Sequence, residues 1–136
     1  DNAKQGGGLV AVNYTMNDKL SFGGGLFGIS QIENSFQVLP ILTERCVMCH
    51  VQGAEQGSLS LFPEAWSQLV GVKARQSAWN RVEAGAPERS YLYLKLLGQQ
   101  ELAGGSGARM PFQQDPLTAE QLDLFKRWIS EGAAQN

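Results

Sequence analysis

Residues 46–50 read Cys46-Val47-Met48-Cys49-His50, two thiols three positions apart with an imidazole directly after, and this arrangement is the attachment signature of a c-type haem. Each thiol of such a loop can add across one of a haem's two vinyl groups, and the imidazole that follows is then placed beneath the iron. One short segment would attach the cofactor and ligate it. Cys46 and Cys49 are the only cysteines in the chain and His50 is the only histidine, so no competing site can be assembled from these side chains elsewhere.

Two other uses of the motif fit less well. A structural zinc site takes four Cys or His ligands, and here the set stops at three, with only carboxylates to complete it. A thioredoxin-like dithiol uses the same CxxC spacing, but it belongs between a strand and a helix of a βαβ pattern, and no such alternation of strands and helices is present.

The length of 136 residues suits one domain. A formal charge of −2 and a pI near 5.4 provide no basic face for nucleic acid and no polybasic patch for a membrane, so the expected partners are proteins. No stretch approaches the roughly 18 consecutive apolar residues of a membrane span, and residues 1–8 contain no apolar run of the kind found in a signal peptide.

Composition changes near residue 31. Before it lies a Gly-rich extension, 1–31, with GGG at 6–8 and 23–25. Its alternating segment Leu9-Val10-Ala11-Val12-Asn13-Tyr14 and the turn signal Asn17-Asp18 suggest a short hairpin. The alternative is a flexible linker from a lipid anchor or a neighbouring domain, since Gly-rich chain is entropically costly to order. Apolar residues such as Leu20, Phe22, Leu26 and Ile29 favour a packed arm.

From Ile32 onward the pattern is mainly α. Pro40 is expected near a helix start, because proline is disfavoured in a helix interior and favoured in its first turn, and a helix from about Pro40 to Cys46 would feed the CVMCH turn. A second helix is expected over Pro63 to Leu69, with Gly71 just past its end, and a third over Pro87 to Leu97, with Gly98 as its stop. The last helix is the best marked. Thr118 and Gln121 have capping-box spacing, Gly132 follows the final turn, and Leu122, Phe125, Trp128 and Ile129 make one apolar stripe, which is ordinary core patterning.

With a single histidine, bis-histidine ligation within one chain is excluded. The thioethers are Met16, Met48 and Met110. Met48 lies inside the attachment loop on the same side as His50. Met110 follows the loop GGSGAR and precedes Pro111, which restricts its backbone, and it is the preferred distal ligand; Met16 is its rival, and a role for Met110 in filling a core gap is the alternative. A His/Met pair is the ligation of electron-transfer cytochromes c.

The segments VLPILTERCVMCH at 38–50, GSLSL at 57–61, VEAGAPERSYLYLKL at 82–96, RMPF at 109–112 and LTAEQLDLFKRWISEGA at 117–133 together carry a family resemblance. In their order and spacing the chain resembles a monohaem cytochrome c, similar to the domains of planctomycete-type and related bacterial multidomain proteins. The resemblance implies a cytochrome c domain over 32–136, a small helical fold around one covalent haem c. It implies thioether bonds at Cys46 and Cys49, iron ligation by His50 and Met110, and packing of the C-terminal helix with Trp128 near the helix leading into the haem segment. Such domains commonly have Met-Pro-Pro where this chain has Met110-Pro111-Phe112, and nothing in the family corresponds to the first 30 or so residues.

The implied function is one-electron transfer to a redox protein or enzyme domain. A periplasmic or otherwise exported location is implied too, with a signal already removed and a membrane tether in the full-length protein as one form of it. The alternatives are an open sixth site, giving a peroxidase-like or gas-sensing domain, and an electron-carrier domain of a larger redox enzyme. Arg75, Arg81, Arg89 and Arg109 are candidates to meet the haem propionates, each with a solvated surface charge as the alternative.

Overall fold

The computed structural model describes residues 23–51 and 56–135. These residues are mainly helical: α1 (Gly23–Arg45), α2 (Trp66–Leu69), α3 (Tyr91–Leu97) and α4 (Ala119–Ser130), with short 3-10 turns at Gln56–Ser58, Pro87–Arg89 and Gln100–Ala103. Among them there is no strand, only two isolated bridges, Val70 with Val82 and Lys73 with Asn80.

The long helix α1 packs across α4. Its buried residues Asn34, Ser35, Val38, Ile41 and Leu42 recur at the spacing of one helical face. They meet Phe125, Trp128 and Ile129, the inward stripe of α4. Phe125 and Trp128 touch edge to face, with ring centroids 6.5 Å apart, an arrangement that puts the electropositive ring edge against a π-face. The expected packing of the Trp128 helix against the helix before the CVMCH segment is therefore present.

Polar groups complete the α1–α4 contact. Buried Asn34 donates to Glu131 Oε1 at 2.7 Å and accepts from Arg127 at 3.2 Å. The chain after α4 folds back so that the indole N–H groups of Trp66 and Trp128 donate to the carbonyls of Ala133 and Ala134. Those carbonyls are thus satisfied inside the fold, as buried backbone oxygens must be.

Three sequence expectations need correction. Pro40 does not start a helix; it lies inside α1. Proline has no N–H for the fourth preceding carbonyl, but residues 36, 37, 39 and 40 are all exposed, so water can serve that carbonyl while the opposite face stays packed. The helix also begins well before Pro40, at Gly23, and runs through the compositional boundary at residue 31. Residues 23–31 are therefore helix rather than hairpin: once a helix is anchored by packing, each further turn adds hydrogen bonds without a new nucleus. The remainder of the hairpin expectation, and Met16 with it, lies outside the described residues. Finally, the helix expected over 87–97 is divided at Ser90, which is extended (φ −102°, ψ 116°) and wholly buried.

The local signals at α4 and α3 hold. The Thr118 side chain accepts from the Gln121 N–H at 3.1 Å while the Gln121 side chain accepts from the Thr118 N–H at 3.0 Å, a complete capping box. Gly98 ends α3 in the left-handed region, φ 75°, with its N–H turned back to Leu94 and Lys95. No described helix is long and apolar enough to cross a membrane.

Candidate functional site

The segment 46–50 is a tight turn at the carboxyl end of α1. The N–H groups of Cys46 and Val47 both return to the Leu42 carbonyl, at 3.0 and 3.1 Å, and the His50 N–H reaches the carbonyls of Cys46 and Val47 at 3.1 and 3.0 Å. The His50 carbonyl in turn accepts from Leu61 N–H at 2.7 Å. The imidazole is therefore carried on a backbone held from both sides. Cys46, Val47 and His50 are half-buried, whereas Met48 is 86% exposed, consistent with a residue that does no packing in the turn.

Above this turn lies a cavity of about 550 Å³, within the usual range for a cofactor site. Cys46, Cys49, His50 and Met110 all line it. Its apolar wall comes from three helices and a loop: Leu42 of α1, Leu59 and Leu61 after the turn, Leu69 of α2, and Leu92 and Leu96 of α3. Gly107, Ala108, Met110, Pro111 and Phe112 complete the lining. Met110 is half-buried and packs against the main core, and its N–H donates to the Lys95 carbonyl at 3.0 Å. Met48 is on the lining as well, so the expectation that separates it from Met110 rests on its place in the attachment loop.

The charge around the cavity is one-sided. Arg45, Arg75, Arg81 and Lys95 line it, and among the described residues no Asp or Glu does, although acidic residues outnumber basic ones in the chain by 13 to 11. Of the four arginines singled out from the sequence, Arg75 and Arg81 belong to this wall. Arg89 instead lies over the Trp79 ring, 5.5 Å from its centroid, and Arg109 donates to the Gln114 carbonyl. Arg45 and Lys95 escaped sequence reading because nothing local distinguishes a cavity-lining cation from a solvated one.

The thiols are poorly placed for dithiol chemistry. They follow the carboxyl end of α1, where the helix dipole disfavours a thiolate, whereas reactive CxxC pairs gain from a helix amino end. Burial pushes the Cys46 thiol up to about 11, with neighbouring Cys49 adding to the rise and the Arg45 guanidinium opposing it. At neutral pH Cys46 is thus a thiol and a weak nucleophile.

The donor set fits a haem. Two thiols at vinyl-addition spacing, one imidazole and the thioethers of Met48 and Met110 line an apolar cavity whose charged lining, among the described residues, is cationic, the complement of a flat apolar ring that carries two carboxylates. Compared with family models, curated proteins and solved structures, the chain matches none of them. The reading of this site rests on its own residues.

Proposed function

We propose that the chain is a c-type haem protein that carries single electrons, with the cofactor joined to Cys46 and Cys49 and its iron held between His50 and Met110. The observation that carries this reading is the convergence of Met110 with Cys46, Cys49 and His50 on one cavity, though Met110 stands sixty positions beyond His50. A haem bound there would supply a one-electron iron couple. The residues do the rest. The CVMCH turn keeps the imidazole on a fixed backbone, the leucines exclude water, and the Met110 loop brings a thioether, a ligand that favours the reduced state.

Exposed Met48 and Phe112, 86% and 52% accessible, both line the cavity and offer an apolar lip for a redox protein or enzyme domain. Thioether attachment of this kind, as in the cytochromes c that the sequence resembles, would place the protein outside the bacterial cytoplasm. The test is expression together with haem-maturation machinery. Intact mass after denaturation should show one covalent haem per chain, and the ferric protein should display the weak charge-transfer band of methionine sulfur on iron. The apo mass would overturn the cofactor, and a haem adduct lacking that band would move the reading to an open sixth site.

A further inference from the structure

The four cations on the cavity wall fall into two pairs by what they hold. Arg45 donates to the Gln114 side chain at 3.0 Å and to the Asp115 carbonyl, and Lys95 donates to the Ser106 carbonyl at 2.7 Å. Both therefore tie down the loop that carries Met110. Arg75 donates to Ser58 Oγ at 2.6 Å, and Arg81 donates to the carbonyls of Gly57, Ser58 and Gln68 at 2.7–3.0 Å. This second pair grips the turn at 57–58, where Gly57 and Ser58 have positive φ.

Arg81 is the unusual member. It is only 8% exposed, and its hydrogen bonds all go to backbone carbonyls, with no carboxylate partner among the described residues. A buried cation without a counter-charge is costly. A guanidinium has five N–H donors, and among the described residues the three bonds leave two of them, including Nε–H, for another acceptor. Arg75 is exposed and spends one donor.

We infer that Arg75 and Arg81 form the anion-binding edge of the cavity and take the two carboxylates of the haem, while Arg45 and Lys95 serve the Met110 loop. The inference rests on the haem reading above. Covalent attachment decides between the pairs: the vinyl groups and the carboxylates of a haem lie on opposite edges of the ring. Joining the vinyl edge to Cys46 and Cys49 puts Arg45, the neighbour of Cys46, on the wrong side. Lys95, whose carbonyl holds the Met110 N–H, belongs with the distal ligand. Arg75 and Arg81 come from a segment that supplies neither a thiol nor a candidate iron ligand. Charge-assisted pairing with carboxylates suits the guanidinium fork, and it would neutralise Arg81.

The experiment uses the haem-loaded protein. Intact mass is measured first, so that a chain without haem counts against the cofactor reading and not against this assignment. The resonance Raman propionate-bending band and the reduction potential are then compared for Arg75→Gln, Arg81→Gln, Arg45→Gln and Lys95→Gln, with Arg89→Gln as a charge-matched control. Arg75→Gln and Arg81→Gln should each shift the propionate band. Each should also lower the potential, because a nearby cation disfavours the more positive ferric state. The other three variants should leave the band in place. An unshifted band in Arg75→Gln, or in Arg81→Gln where it folds, or a shifted one in Arg45→Gln or Lys95→Gln, overturns the assignment. Because Arg75 is exposed, its variant decides the matter even if Arg81→Gln does not fold.

Discussion

The backbone N–H of Met110 donates to the carbonyl of Lys95 at 3.0 Å, so the loop that presents the thioether is fastened to α3 rather than left to its own glycines. The Lys95 side chain reaches the same loop at Ser106. Residue 95 thus sets both the backbone of Met110 and the approach of the segment before it, a link that the sequence between them does not announce.

Met110→Ala should leave the haem attached while opening the sixth site. The reduction potential should fall, since the thioether that raises it is gone, and carbon monoxide binding should rise. Optical spectra and potentiometry check this. If Met16→Ala produced those changes and Met110→Ala did not, the distal ligand would come from the N-terminal segment.

Replacing Cys46 or Cys49 by Ala should leave a single thioether and a less homogeneous product by intact mass. His50→Ala should fail to give stable holoprotein, because no second imidazole exists in the chain to take its place. Normal spectra and potential in that variant would remove His50 from the proximal position.

Phe125 is fully buried and edge-on to Trp128 at the α1–α4 contact. Phe125→Ala should cost about 3–5 kcal/mol in denaturant unfolding, through lost burial and the cavity left behind. Because α1 delivers the CVMCH turn, haem incorporation should decline with stability.

Thr118→Ala removes the side-chain acceptor of the capping box and should cost about 1 kcal/mol, read as a lower unfolding midpoint. Thr118 does not line the cavity beside the CVMCH turn, so the spectrum of a haem held there should be unchanged.

Gly105 lies against the ring of Tyr91, and a methyl group there would overlap the phenol. Tyr91 lines the cavity. Gly105→Ala should therefore both destabilise the fold and perturb the optical spectrum of the bound haem, whereas Gly104→Ala, with open space around its Cβ, should show only the modest backbone penalty of its positive φ.

Signals confined to a few neighbouring residues were legible. The capping box at Thr118 and Gln121, the stripe through Phe125, Trp128 and Ile129, and the stop at Gly98 depend on groups within one or two turns, and each is present. Pro40 was not legible, because its local penalty is outweighed by a helix face that buries Val38, Ile41 and Leu42 against α4. Nor was the break at Ser90. Its hydroxyl donates to Ala86 at 2.9 Å and accepts from the Glu83 N–H at 2.8 Å, and a wholly buried serine satisfied in this way holds the chain extended between two helical turns.

For the candidate site, the amino-acid sequence alone determined the chemistry on offer: two thiols and an imidazole locked into five consecutive residues, a lone histidine, and a short list of thioethers. Covalent connectivity makes that information local. Only the tertiary structure decided that Met110 shares a cavity with them and that Arg45, Arg75, Arg81 and Lys95, with no carboxylate among the described residues, line its wall. Such placement depends on how α1, α3 and the loops between them pack, and hydrophobic burial, being non-directional, leaves no mark on any single residue of where its charged neighbours will fall.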